Sequence, residues 1–180
     1  MVSAGSARKC RSRREELIEA RALLEEIRKN KVTHIVGVPD NGSRKLYELL
    51  REDSRIQAIS VTHEGEAFSL ASGLFLGGKN PLILIQNTGF LESGDAFRGT
   101  AFNMGLPLVM IIGYRGYESM RSGAEPVDTA ATFFEPTLKA WNVPYYMLHT
   151  TSDSHLISTA FSKAAETSLP TAVIYPGECV

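Results

Sequence analysis

Apolar residues along this chain change their period repeatedly, and each change marks an element. Leu17, Ala20, Leu24 and Ile27 recur at spacings of three and four, which puts them on one face and predicts a helix over 15–29. The run His34-Ile35-Val36-Gly37-Val38 is short, apolar and stopped by Pro39, so it reads as a strand. Asp40-Asn41-Gly42-Ser43 is a turn and N-cap cluster opening a helix through Leu46, Leu49 and Leu50. A second strand covers 57–61, and a helix of small residues follows from Glu64 to Leu76. The third strand, 82–86, is apolar almost throughout; after it Asn87-Thr88-Gly89 breaks into a helix ending near Met104. Residues 107–112 form the fourth strand, and 113–127 a long loop rich in Gly, Arg and Glu. A helix interrupted by Pro136 runs to Trp141, then a strand over 144–148. The last helix, about 153–167, is expected to be capped by Ser152 or Asp153, and it leads to a strand over 171–175.

Six apolar strands alternating with helices imply an α/β fold: a six-stranded parallel sheet, doubly wound, with helices on both faces. Its crossovers should be right-handed. Ligands collect at the carboxyl ends of such strands. The loops that matter are therefore 39–43, 62–66, 87–92, 113–127, 149–153 and 176–180. No repeat or linker divides the chain. A single domain over 15–180 is expected behind a basic, flexible segment over 1–14.

Composition narrows the function classes. The longest apolar run, Leu106 to Ile112, has seven residues and contains Pro107, well short of the eighteen or so that a spanning helix needs. The basic start is followed by a charged helix rather than an apolar h-region. Cys10 and Cys179, one near each end, make neither a disulfide framework nor a CxxC metal site. A cytoplasmic protein without a membrane span is expected. Residues 1–31 carry nine Lys/Arg against five Glu. Without aromatic interleaving that excess reads as a solvated tail and not as a nucleic-acid surface.

Several motifs are missing. No GxGxxG follows a strand, and no GxxxxGK[ST] or GxSxG occurs, which removes dinucleotide, P-loop and commonest serine-hydrolase readings. His34, His63, His149 and His155 lack HExxH or CxxC partners, so no metal site is expected on this chain alone. What remains is a carboxylate. His63-Glu64-Gly65-Glu66-Ala67 leaves the second strand and enters a helix. The helix macrodipole favours a glutamate there, so structural and functional readings both stand on this motif alone. Glu66, further into the helix, fits the structural reading better.

Four segments at strand ends stand in order: Gly37-Val38-Pro39-Asp40, His63-Glu64-Gly65-Glu66-Ala67, Gln86-Asn87-Thr88-Gly89, and Gly113-Tyr114-Arg115-Gly116 with Glu125-Pro126. Together they resemble the pyrimidine-binding half of thiamine diphosphate enzymes. Within that superfamily they look most like sulfopyruvate decarboxylase alpha subunits and the amino-terminal part of phosphonopyruvate decarboxylases, over about residues 15–176.

The resemblance implies roles. Glu64 matches the glutamate that bonds N1′ of the aminopyrimidine, where a shared proton favours the imino tautomer that serves as base. Asn87, Thr88 and Gly89 match the loop lying against the pyrimidine, with Phe90 beside it. Asp40 and Asn41 match the loop that points at substrate, although an N-cap cluster explains them equally. Asn41 and His63 join Glu64 as catalytic candidates. Arg115 suits a substrate's second anion, sulfonate or phosphonate; a surface arginine in a loop is the alternative.

The implied activity is decarboxylation of a 2-oxo acid by the pyrimidine-side (alpha) subunit. A carboligase-type subunit or a non-catalytic assembly subunit are the alternatives. Two departures stand out. The family's Gly-Leu-Gly-Asn is replaced by Gly89-Phe90-Leu91-Glu92. The Gly-Asp-Gly motif that holds diphosphate and magnesium is absent, since Ser93-Gly94-Asp95 is not that motif. Thiamine diphosphate would thus be shared with a diphosphate-binding beta subunit that carries Gly-Asp-Gly and holds Mg2+. The isolated chain is expected to form a homodimer.

Overall fold

In the computed structural model, residues 18–123, 125 and 128–180 are described. The expected basic segment 1–14, the start of the first helix and Pro126 lie outside the described residues. The strands are β1 (His34–Gly37), β2 (Gln57–Ser60), β3 (Pro81–Gln86), β4 (Val109–Tyr114), β5 (Tyr145–Met147) and β6 (Thr171–Pro176). All pair in parallel, in the order β2-β1-β3-β4-β6-β5. The chain steps one way from β1 to β2 and the other way to β3, so the switch point lies between β1 and β3. That is where an open α/β sheet leaves a crevice.

The helices are α1 (Ala20–Lys29), α2 (Arg44–Glu52), α3 (Glu64–Leu76), α4 (Asn87–Glu92), α5 (Gly94–Ala96), α6 (Tyr117–Ser122), α7 (Thr129–Ala140) and α8 (Leu156–Thr167). Side chains of a strand alternate between faces, and here the two faces build two cores. Ile35, Leu82, Leu84, Ile111 and Val173 pack with Leu23, Ile27, Leu46, Leu50 and Ile157 of α1, α2 and α8. Val36, Ile83, Ile85, Met110 and Ile174 pack with Phe68, Phe90, Phe97 and Phe134 on the other side. The central strands β3, β4 and β6 are buried almost throughout. The edge strands β2 and β5 are only half covered, because each lacks one neighbour.

Local differences from the expectation have physical causes. β4 begins at Val109, where its pairing with Leu82 and Thr171 starts, two residues past Pro107; it continues to Tyr114 by pairing with β6. The helix expected to run to Met104 breaks after Glu92. Its last part, Phe97–Phe102, is π-helical, and the Trp141 ring stacks on Phe97 with centroids 5.6 Å apart. The 113–127 loop contains the short helix α6. Before α8, a 3-10 turn over Thr151–His155 is capped by Thr150, with Asp153 returning the bond to the Thr150 N–H. Asp153 is thus the second half of a capping box whose first residue is Thr150, and neither Ser152 nor Asp153 is the N-cap itself.

Candidate functional site

At the carboxyl edge of the sheet, the loops after β1, β2, β3 and β4 bring the expected residues to one end of the molecule. The turn after β2 is organised by Glu66. Its Oε2 accepts from the Thr62 N–H at 2.9 Å and the Thr62 hydroxyl at 2.8 Å, and those bonds lower its pKa. Glu66 therefore closes the first turn of α3. Glu64, the first residue of α3, keeps a half-buried carboxylate to which no side chain donates among the described residues. It lies directly over Gly89: a Cβ there would stand 2.1 Å from Glu64 Oε1 and 2.2 Å from both Cδ and Cγ. Glycine at 89 leaves room for the carboxylate, which any side chain there would displace.

His63 precedes Glu64 and is more than half exposed. Its Nδ1 is 3.7 Å from Glu92 Oε1 and its Nε2 is 3.8 Å from Glu66 Oε1. The acidic residue that replaces the family's asparagine therefore faces His63. Thr88 donates to Gln86 Oε1 at 3.0 Å beside the same loop.

In the β1–α2 loop, Asp40 Oδ1 accepts from the Gly42 and Ser43 N–H groups at 2.6 and 3.1 Å, and Oδ2 from the Ser43 hydroxyl at 2.6 Å. The carboxylate is committed to shaping its own turn, while Asn41 is exposed. Asn41 lines two clefts. One, of about 940 Å³, includes Asp40, Arg44, Tyr47 and Ser60. The other, of about 360 Å³, lies along the ends of β3, β4 and β6 and includes Gln86, Arg115, Gly116 and Gly177.

Two expected cofactor contacts are placed differently. Phe90 is fully buried, in edge contact with Phe68, Phe97 and Phe134. Because α4 already begins at Asn87, the fourth residue turns back onto the sheet, and the Phe90 ring lies wholly within the core. Asn87 is also fully buried; its amide binds the backbone of Arg115 and Ala130. Thr88 and Glu64 are the partly exposed members of this group, and Gly89 is buried beneath the Glu64 side chain.

Sequence reasoning missed two residues. Tyr47, read only as part of a helix, donates its hydroxyl to the Leu84 carbonyl at 3.0 Å. Burial pushes its pKa far up, and the charges of Asp40 and Glu64 add to that effect. Asp128 caps α7 by accepting from the Ala130 N–H at 3.0 Å and pairs with Arg115 Nε at 3.1 Å. An aspartate before a helix is a readable cap signal; its partner thirteen residues upstream is not.

Among the described residues, no group of three His, Cys, Asp or Glu is placed to hold a metal ion, and no helix is long and apolar enough to cross a membrane. A half-buried carboxylate without a hydrogen-bond donor among the described residues suits one edge of a flat, nitrogen-bearing ring. It does not provide for a diphosphate.

A parallel sheet with its strand-end motifs gathered at one edge, around the switch point, defines an α/β domain of the kind that binds ligands there. Residues 19–135 match the family of thiamine pyrophosphate enzymes, N-terminal TPP binding domain, and the chain belongs to it. The sulfopyruvate decarboxylase subunit alpha of Methanocaldococcus jannaschii is 28% identical over 155 residues, covering 86% of this chain and 90% of that protein. The same subunit of Methanococcus maripaludis is 26% identical over 144 residues, covering 79% and 85%. The phosphonopyruvate decarboxylase of Streptomyces viridochromogenes is 31% identical over 85 residues, which cover 47% of this chain and 21% of that one. Among solved structures, benzoylformate decarboxylase from Polynucleobacter necessarius aligns with a TM-score of 0.71 at 19% identity. It covers 89% of this chain, which spans 30% of that protein, and the likeness is one of fold.

Proposed function

We propose that this chain is the pyrimidine-side subunit of a thiamine diphosphate-dependent 2-oxo acid decarboxylase acting on sulfopyruvate or phosphonopyruvate. The observation that carries the proposal is the Glu64 carboxylate, free of donors among the described residues and seated over Gly89. The sulfopyruvate decarboxylase alpha subunits and the phosphonopyruvate decarboxylase among the relatives support the substrate class.

Thiamine diphosphate, when bound, supplies the carbon nucleophile and the electron sink for loss of carbon dioxide. Glu64 would hold the proton at the ring nitrogen N1′, and Gly89 would let backbone approach the ring face. Asn41, at the junction of both clefts, would contact the substrate, while Asp40 keeps that loop in shape. His63, between Glu66 and Glu92, is the remaining group for proton exchange at the mouth. Arg115 would receive the second anion of the substrate.

The diphosphate and Mg2+ would be held by a beta subunit carrying Gly-Asp-Gly, because this chain offers a ring site without a phosphate site. Without that partner the chain would pair with itself. Helix α3 is apolar on its covered side and also exposes Leu76 and, in part, Leu70, which is a surface that prefers cover.

Co-purification with the partner, followed by assay of a panel of 2-oxo acids with thiamine diphosphate and magnesium, tests the proposal. In that assembly Glu64→Gln should lower turnover by at least about a hundredfold, the usual worth of one acid–base group, without changing the melting temperature. Wild-type turnover in the variant would end the thiamine reading of Glu64.

A further inference from the structure

Arg115 lies just past the end of β4, where the sheet ladder no longer determines its backbone, yet its backbone is fully bonded. The Arg115 N–H donates to Asn87 Oδ1 at 3.1 Å, and Asn87 Nδ2 donates to the Arg115 carbonyl at 3.1 Å and to the Ala130 carbonyl at 3.2 Å. Both amide protons and the amide oxygen of one fully buried side chain are thus spent on fixing this residue against the first turn of α7. A buried amide left without such partners would be costly. Here every partner is backbone from another segment.

The far end of Arg115 is held separately. Asp128 uses Oδ1 to cap α7 and Oδ2 to pair with Arg115 Nε at 3.1 Å. No bond reaches the terminal amino groups among the described residues. An ion pair on the Nε side, in a side chain that stays 61% exposed, leaves the outer Nη1/Nη2 edge for a forked, two-bond contact with an oxyanion. The 360 Å³ cleft that Arg115 lines also includes Glu118 and Glu178. Its overall field therefore does not draw anions, and recognition depends on where the fork is placed.

We infer that Asn87 and Asp128 are positioning residues that set Arg115 from both ends, so that its outer edge meets the second anion of a doubly charged 2-oxo acid. The inference rests on the decarboxylase reading above. It moves Asn87 from the cofactor to the selection of substrate.

The test is made on the assembled two-subunit enzyme, with sulfopyruvate and pyruvate as probes. Asn87→Ala should raise KM for sulfopyruvate about tenfold more than KM for pyruvate. Asp128→Asn, which retains the cap through its oxygen, should show a smaller split in the same direction. Equal changes for the two acids in both variants would overturn the inference, because a structural defect alone does not discriminate between them. Should Asn87→Ala fail to fold, Asp128→Asn decides the matter by the same ratio.

If the wild-type assembly decarboxylates neither acid, the functional reading fails separately. The clamp is then judged on this chain by the 15N-labelled Arg115 Nε–H signal, assigned with Arg115→Lys. A resolved signal that merges with those of the other arginines in Asp128→Asn supports the clamp. A signal indifferent to the substitution overturns it.

Discussion

Replacing Gly89 with alanine separates the geometry of the site from the stability of the fold. The new Cβ would fall 2.1–2.2 Å from three side-chain atoms of Glu64, so the carboxylate must retreat on the order of 1 Å to reach ordinary contact. That retreat is cheap in stability. The Glu64 side chain has a free end, and leaving its rotamer well costs about 0.5–1.5 kcal/mol. Position 89 lies inside α4 and not at positive φ, so alanine returns about 1 kcal/mol of helix propensity. The two effects nearly cancel, and the melting temperature should move by no more than about 4 °C for a chain of this size. Turnover should fall far more, since a 1 Å misplacement of a reacting group costs roughly a hundredfold. Thermal melts of the chain alone and kcat/KM of the assembled enzyme measure the two halves. Full activity in Gly89→Ala would refute the claim that Glu64 works from this position. A melting temperature lowered by about 10 °C or more would refute the claim that the contact is free of structural cost.

Two other substitutions probe the frame around the site. Asp53, at the end of α2, accepts from the Arg55 N–H, Nε and Nη2 and from Arg28 Nε; the Arg55 bonds chiefly, with Arg28, hold its pKa far below the usual range. A depressed folded value means that its stabilisation is present above the unfolded pKa of about 3.9 and is lost as pH falls below it. Asp53→Asn should therefore melt below wild type at pH 7, with the gap beginning to narrow only below about pH 4 and closing as pH falls on towards the depressed folded value; a gap independent of pH would contradict the assignment. At Gly37 a Cβ would lie 1.8 Å from the Leu84 carbonyl oxygen and 2.7 Å from the Tyr47 hydroxyl. A backbone neighbour between β1 and β3 cannot give way, so Gly37→Ala should cost about 3 kcal/mol or more in urea unfolding, and a smaller loss would mean that the two strands separate easily.

Much of this molecule is local and therefore readable. Apolar runs of four to six residues ended by Pro39, Asn87 or Gly113 predict strands because burial on both faces demands continuous apolar sequence. Chain order then places four motifs at the carboxyl ends of strands, and the position of Glu64 at a helix start follows from its neighbours alone. Thr62 and Glu66, four residues apart, close a turn by a similarly short-range bond. Where the reading slipped by a few residues, at Thr150, the reason was again local: a competing cap.

The employment of each side chain was settled elsewhere. Asn87 sits beside Thr88 and Gly89 in a single motif, yet its amide is spent on Arg115, 28 residues further on, and Phe90 disappears into a core shared with Phe68 and Phe134. Asp128 reaches Arg115 only because α7 returns across the end of β4. Sequence by itself determined the α/β elements, the segments at strand ends and the glutamate that opens α3. Tertiary structure decided which of those residues still face an opening. Hydrogen bonds and steric exclusion act at 2–4 Å between segments that are distant in the chain, and no periodicity along the chain records which groups will meet there.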